Sequence, residues 1–235
     1  MQLSQIYKEH KFSFVAASAA IMLLLIMLLP LLEIGSRPIF GQGISGSLNY
    51  VRHATLWFGF LGAVLAAKAK RHISLGVSSF LTGRGKKLAD VVANTLAVAT
   101  CLVLANAAFD MLMAERSSQV QLGGLIPLWI AQSIMPVCFI LLAFSFAREL
   151  MQLISGKTLI VLLLAITALS YFVDLQSSYF LPLGLSIIFI STLAGAPIFI
   201  VLGSLAALLF ASDGIPLASI SVEAYRIASN PILQT

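Results

Sequence analysis

Ionisable side chains are the residues with which this sequence could do chemistry, and they are few. The three histidines, His10, His53 and His72, lie in different regions, and there is no Ser/His/Asp arrangement, paired-carboxylate spacing or phosphate-binding GxxxxGK[ST] loop. Cys101 and Cys138 are isolated in apolar stretches without a CxxC or a histidine at metal-ligand spacing, so we expect two buried thiols and no disulfide. We therefore expect no enzyme, no metal site and no cofactor in this chain.

The composition indicates the environment in which these side chains are placed. The chain has 235 residues, of which 60% are hydrophobic and 10% are charged, and its mean hydropathy is +1.01. A soluble domain carries about 25% charged residues. Segments without Asp, Glu, Lys or Arg occupy 12–32, 53–67, 91–109, 117–147, 158–173 and 175–212. Most of them are long enough to cross ~30 Å of hydrocarbon. We expect an all-α integral membrane protein with about six transmembrane helices, which excludes a soluble enzyme.

The positions of the charges and prolines predict where these helices begin and end. The first helix is expected over 13–34, with Pro30 near its outer end, and is followed by a loop over 35–46. Arg148 is expected to end the fourth helix, while Gly195 and Pro197 are expected to break a very long sixth crossing. The remaining expected elements are helices over 48–68, 89–113, 125–147, 158–173 and 183–211, and a short surface helix over 219–229.

The basic residues are divided unequally between the two ends of these helices. With an inner N-terminus, the inner stretches hold eleven of the 14 Lys and Arg residues and the outer stretches hold three, Arg37, Arg52 and Arg116. The positive-inside rule then predicts a cytoplasmic N-terminus. The net charge of +5 is explained by this topology, so we expect no nucleic-acid partner.

The loop over 71–87 has a pattern typical of a helix that lies on a membrane surface. Its apolar residues fall on one side of a helical wheel, and its basic residues cluster at the ends, where we expect them to contact anionic lipid. These expected lipid-interface residues are Lys70, Arg71, Arg84, Lys86 and Lys87. The alternative is a solvated loop that only obeys the positive-inside rule.

One run of residues resembles a known family. The chain resembles the small DctQ-type membrane subunit of the tripartite ATP-independent periplasmic (TRAP) transporters in the run Arg52-x4-Trp57-x2-Phe60-x-Gly62-Ala63-x2-Ala66-x-Lys68-x3-His72-Ile73, and upstream in Glu33-x3-Arg37-x2-Phe40. The resemblance covers about residues 10–150. Relatives usually carry two acidic residues just before the arginine that matches Arg52, whereas this chain has Leu48 and Asn49.

A second resemblance follows in the C-terminal part. Four short motifs resemble the opening of the large DctM-type transport subunit: Gly195-x-Pro197-Ile198-x4-Leu202-Gly203, Gly214-Ile215-Pro216-Leu217, Tyr225-Arg226 and Asn230-Pro231-Ile232-Leu233. The expected organisation is a DctQ-like four-helix domain over 1–150, a linker helix and outer turn over 151–181, and an incomplete DctM-like domain over 182–235.

The two resemblances imply a function in transport. They imply a membrane component of a secondary, sodium-coupled transporter for small organic acids such as dicarboxylates or sialic acid, located in the bacterial inner membrane and acting mainly as a scaffold. The implied partners are the rest of the DctM-like subunit and a periplasmic substrate-binding protein. The alternatives are a membrane structural or assembly protein unrelated to transport, and an intramembrane enzyme.

The sequence leaves two interpretations of the Trp57 side chain open. It lies about one turn inside Arg52, so it either packs against another helix of the complex or belongs to an aromatic belt that faces lipid. No substrate-binding residue can be assigned from the sequence.

Overall fold

The chain is almost entirely helical wherever its structure is described. The computed structural model describes residues 14–41, 43, 46–69, 82–118, 120–122, 126–154 and 180–228. In this part of the chain the helices are α1 (Phe14–Phe40), α2 (Ser47–Lys68), α3 (Gly83–Ser118), α4 (Leu128–Gln132), α5 (Ile134–Leu153), α6 (Phe180–Leu193), α7 (Ile198–Ser212) and α8 (Ala218–Ala228). Two-residue strands, β1 (Gln121–Leu122) and β2 (Ile126–Pro127), pair antiparallel.

Three of the described helical stretches are long and apolar enough to cross a membrane: Phe14–Ile39, Gly83–Ser118 and Leu128–Leu153. The predicted class, an all-α membrane protein, is confirmed. The helix α2 matches the predicted helix over 48–68 and is about 33 Å long, but it falls below those three stretches in hydropathy. The helix predicted over 158–173 lies outside the described residues, and the cytoplasmic N-terminus stays a prediction.

The first helix is longer than predicted. It continues through Pro30 and Pro38 to Phe40, so the loop expected from residue 35 begins only at Gly41. Near its end, the Glu33 carboxylate accepts a hydrogen bond from Arg37 one turn later, and an arginine in the last turn stabilises the helix dipole. Gly41, with φ 69°, then ends the helix in the left-handed conformation.

The third helix also extends beyond its predicted bounds of 89–113. It has 36 residues and is about 54 Å long, so both ends project beyond ~30 Å of hydrocarbon. Arg84, Lys86 and Lys87 lie exposed in its first two turns. The separate interfacial helix predicted up to residue 87 is therefore wrong for residues 83–87, which continue the long helix α3; residues 70–81 lie outside the described part.

The helix predicted over 125–147 is divided and displaced. Pro136 has no N–H to offer the carbonyl one turn earlier, and its ring crowds that carbonyl, so the helix breaks at Ser133, between α4 and α5. The prediction that Arg148 ends the helix is wrong, because α5 continues to Leu153 with the Arg148 side chain exposed.

The long sixth crossing predicted over 183–211 is a helical hairpin instead. The chain turns at residues 194–197, where Gly195 adopts φ 97°, so the predicted break is correct and the single crossing is wrong. A straight helix would place residues 184 and 208 about 36 Å apart, yet a Cβ at Gly184 would lie 3.1 Å from Cγ of Leu208. At the tip, Ala194 and Ala196 pack against two alanines of α3, where small side chains allow close approach.

The core lies between α3 and α5, which pack against each other more extensively than any other described pair of elements. Cys101 and Cys138 are free and fully buried there, which confirms the prediction of two core thiols. The helix α2 joins the core, with Phe60 edge-on to Phe139 at a centroid distance of 5.4 Å. The predicted surface helix over 219–229 is confirmed as α8, which packs mainly on α3 and also contacts α2.

Candidate functional site

A polar cluster lies where α2, α4 and α8 meet, and we call it the polar joint: the buried His53 and Gln132 with the half-buried Arg52 and Tyr225. His53 is 8% exposed, and both of its ring nitrogens are 2.8 Å from a partner, Nδ1 from the Asn49 carbonyl oxygen and Nε2 from the Tyr225 hydroxyl. A carbonyl only accepts, so Nδ1 carries the hydrogen. In the neutral ring Nε2 is then an acceptor, and the Tyr225 hydroxyl donates to it.

Tyr225 connects α8 to two other helices. Its ring lies 5.6 Å from the His53 ring between centroids, and its hydroxyl is hydrogen-bonded to the Gln132 side chain of α4. Burial raises the pKa of the Tyr225 hydroxyl above its ordinary value, so the hydroxyl keeps its proton near neutral pH and can donate. Gln132 is 2% exposed, and its Oε1 is buried without a hydrogen-bond partner among the described residues.

Arg52 supplies the positive charge of the polar joint. Its Nη1 lies 3.4 Å from Asn49 Oδ1, and its Nε is buried without a partner in the described part of the chain. Asn49 is one of the two positions at which the resemblance leads us to expect a carboxylate. A neutral amide at 3.4 Å is a weak partner for a guanidinium, so the charge of Arg52 is not neutralised by it.

Trp57 lies one turn further along α2, and its environment bears on the two interpretations of this residue. Its indole Nε1 donates to the Ala131 carbonyl of α4 at 2.7 Å, and the ring packs partly buried against the core. These contacts favour the packing interpretation, and the lipid-facing belt stays a prediction. Trp57 packs against a helix, and that helix belongs to its own chain.

His53 and Trp57 also line a groove of about 410 Å³ between α1, α2 and α4. The other lining residues include Met22, Leu25 and Ile130, so the groove is apolar apart from the His53 and Tyr50 side chains. The groove is open to the surroundings of the protein, which gives the polar joint a route to the outside.

A second polar group fixes the turn between α1 and α2. Glu33 accepts from Arg37 at 2.8 Å and from the Ser47 hydroxyl, so one carboxylate joins the end of one helix to the start of the next. Gly43 lies against the Glu33 and Arg37 side chains, where a larger residue would press on the pair. Phe40 ends α1.

The other residues singled out in the sequence do not form a common site. Gly62 faces open space, and Lys68 is exposed at the end of α2. Pro197 is buried at the hairpin tip, while Gly203 lies against Leu104 of α3. Pro216 is exposed, and Arg226 pairs with Glu223 at the surface. Lys70, Arg71, His72 and Pro231 lie outside the described residues.

Two residues of the polar joint were missed by the sequence analysis as site residues. Gln132 is a polar residue inside an apolar run between Pro127 and Pro136, which is a signal that could have been used. Tyr225 was noticed only as part of a motif, and its bond to His53, 172 positions away, has no local signal. In the described part of the chain no three His, Cys, Asp or Glu side chains meet in a way that could hold a metal ion.

Comparison with protein families identifies most of this helical unit. The family described as tripartite ATP-independent periplasmic transporters, DctQ component, matches residues 26–156. The match runs from the middle of α1 to the end of α5 and includes Arg52, His53, Trp57 and Gln132, whereas Tyr225 lies beyond it. No curated protein matches the chain.

Proposed function

The chain belongs to the DctQ family of TRAP transporter components, and we propose that it acts mainly as the membrane scaffold of a sodium-coupled transporter for small organic acids. The family is a family of transporter components that work with a DctM component and a periplasmic binding protein. It is not an enzyme family. An intramembrane enzyme, or an assembly protein unrelated to transport, is therefore disfavoured.

The observation that carries the scaffold proposal is that most of the packed core lies within the family match. Residues 26–156 include α3 and α5, whose shared core is made of small and apolar side chains such as Cys101, Met135 and Cys138. Three polar side chains of the matched helices, His53, Trp57 and Glu33, bond to neighbouring helices or turns. Such contacts hold helices in place, and this is what a scaffold requires.

We further propose that residues 182–235 belong to a DctM-like transport part. Sites in secondary transporters are built from discontinuous helices near the bilayer midplane. The hairpin of α6 and α7 supports the proposal, because it has two short apolar helices of 14 and 15 residues joined by a Gly/Pro turn. One such hairpin is a single element of a site that needs a second one facing it.

The proposed location is the bacterial inner membrane with a cytoplasmic N-terminus. The exposed Arg84, Lys86 and Lys87 at one end of α3 support this orientation. The opposite end of the bundle, where Glu33, Arg52 and Arg116 lie, would then face the periplasm and the binding protein.

Co-purification tests the proposed scaffold. The tagged chain is coexpressed with a DctM-type subunit encoded beside a periplasmic binding protein gene, extracted in mild detergent and captured by the tag. We expect the DctM-type subunit to be retained in stoichiometric amount. An unrelated polytopic protein with the same tag is the control, and equal recovery of the DctM-type subunit with that control would contradict the proposal.

A further inference from the structure

The contact between His53 and Tyr225 joins the family-matched helices to a helix beyond them. His53 lies in α2, inside residues 26–156, while Tyr225 lies in α8, outside that range. The side-chain hydrogen bond from Tyr225 Oη to His53 Nε2, at 2.8 Å, is made at the buried end of this interface.

The bonding pattern of the ring depends on its charge. The Asn49 carbonyl occupies Nδ1–H, so Nε2 can accept from Tyr225 only while the ring is neutral. A proton added at Nε2 would point at a hydroxyl that is itself donating. Tyr225 would have to turn its hydrogen away. Gln132, which already bonds to the Tyr225 hydroxyl, has an Oε1 that is buried without a partner among the described residues, and this oxygen could accept the hydrogen if the amide turned over.

The charged groups around the ring make that rearrangement unfavourable. Burial of the ring is the main factor that disfavours a positive charge on it, and Arg52, the neighbour of His53 on α2, adds to this as a positive charge. The helix α4 contributes the neutral Gln132 to the polar joint. Glu115 of α3 acts on the Tyr225 hydroxyl through its negative charge. Glu223 on α8 is paired with Arg226 at the surface. The residues of α1 that line the groove at His53 are apolar. Both ring nitrogens are occupied by neutral partners, so no carboxylate is bonded to the ring to compensate a positive charge.

We propose that His53 is a proton-sensitive positioning residue that holds α8 against the family-matched helices when neutral and loosens it when protonated. When α8 is released, the imidazole leaves its buried contact with Tyr225 and takes up a proton more readily, whereas the docked ring must give up its bond from Tyr225 to do so. Acid therefore favours release.

The direction and size of the pH effect on α8 docking follow from the single proton that His53 binds. Well above pH 6.5, the ordinary pKa of an imidazole, both states are neutral, and docking of α8 does not depend on pH. Below that value the released state binds one more proton than the docked state, so the docking constant falls by up to about tenfold per pH unit until the docked ring also titrates.

Hydrogen–deuterium exchange of α8 tests the proposal on the full chain in lipid nanodiscs. Protection of residues 218–228 is measured from pH 8 to pH 5 in the wild type and in His53→Gln, whose side chain does not titrate. Dividing the protection of the wild type by that of His53→Gln at each pH cancels the intrinsic pH dependence of amide exchange. We expect this ratio to be nearly constant between pH 8 and pH 7 and to fall by about fivefold between pH 6.5 and 5.5.

Two hydroxyl variants keep the test independent of whether His53→Gln folds. Tyr225→Phe retains the ring but removes the donor, so its protection of α8 should be lower at pH 8. Its acid-dependent step should be smaller than that of the wild type, because the docked ring no longer has a bond from Tyr225 to give up, although burial still disfavours the charged ring. Tyr50→Phe is the matched control, because the Tyr50 hydroxyl bonds to the Leu122 carbonyl at 3.3 Å, away from His53; it should keep the wild-type protection and the wild-type step. A wild type without the step, or a Tyr225→Phe variant with the wild-type protection of α8 at pH 8, would overturn the proposal.

Discussion

Trp57 illustrates how single side chains hold this bundle together. Its indole combines a large apolar ring, packed against the core, with one hydrogen bond to the Ala131 carbonyl. In a membrane the hydrophobic effect does not drive helices together, so packing and such interhelical bonds carry the association. The bond reaches α4, just before the break at Ser133, where the helix termini leave backbone groups to be satisfied.

We expect substitution of Trp57 to separate its two contributions to stability. Trp57→Phe removes the hydrogen bond and a part of the ring, and should lower the free energy of unfolding in detergent by about 1 kcal/mol. Trp57→Ala also removes the ring and should cost about 2–3 kcal/mol, below the value for a fully buried tryptophan. Phe58→Ala is the matched control, because Phe58 is the exposed neighbour. A loss for Phe58→Ala as large as for Trp57→Ala would contradict the packing role.

Contacts at this scale could be predicted from the sequence only where both partners lie on one helix. Glu33 and Arg37 are four residues apart, and this spacing places them on one face. The partner of Trp57 is 74 positions away, so the sequence left packing and lipid exposure open. For His53 the sequence showed an isolated histidine, and its role depends on α8 folding back onto α2.

The hairpin of α6 and α7 shows what decides the arrangement of whole elements. Residues 175–212 contain no charge, and both helices are apolar on nearly all sides, so periodicity does not distinguish a straight crossing from a chain that folds back. Gly195 and Pro197 identify the break because one adopts a positive φ and the other cannot continue a helix ladder. The direction after the break depends on tertiary contacts with Ala89 and Ala93 of α3, which the local sequence does not encode.

A disulfide between the two arms should distinguish the hairpin from a straight helix. With Cys101 and Cys138 replaced by Ala, we expect Gly184→Cys and Leu208→Cys to cross-link rapidly under mild oxidation, because a Cβ at position 184 lies 3.1 Å from Leu208 Cγ and disulfides need Cβ atoms about 3.5–4.5 Å apart. The measurement is the electrophoretic shift after proteolysis between the two positions.

The matched control for this cross-link moves one cysteine to the other side of the same helix. Leu185 is exposed, so the pair Leu185→Cys and Leu208→Cys should form little disulfide within the chain. Equal yields from the two pairs, or no cross-link with Gly184→Cys, would show that the arms are not packed as described.

At the scale of the whole molecule, charge determines orientation. Arg84, Lys86 and Lys87 are exposed at the start of α3, and its first turn contains no acidic residue. Basic residues at a helix N-terminus are unfavourable to the helix dipole, so an interaction outside the helix must compensate. We propose that anionic headgroups of the cytoplasmic leaflet supply it, at about 1 kcal/mol per basic residue.

Neutralising these three residues should disturb the orientation of α2 and α3. In Arg84→Gln/Lys86→Gln/Lys87→Gln we expect reporter fusions at positions 80 and 120 to give mixed inside and outside signals, whereas the wild type gives inside at 80 and outside at 120. The charge-preserving variant Arg84→Lys/Lys86→Arg/Lys87→Arg should behave as wild type. Unchanged reporter signals in the glutamine variant would show these charges to be dispensable.

The central claim, that the chain is a scaffold and not a transporter by itself, is tested most directly by uptake into liposomes. With an inward sodium gradient and the binding protein present, we expect no accumulation of labelled organic acid by these 235 residues alone, because the hairpin of α6 and α7 has no second interrupted element facing it among the described residues. Liposomes holding both this chain and the DctM-type subunit should accumulate the acid, and those holding the DctM-type subunit alone should accumulate much less. Sodium-dependent accumulation by the lone chain, or equal uptake with and without it, would contradict the claim.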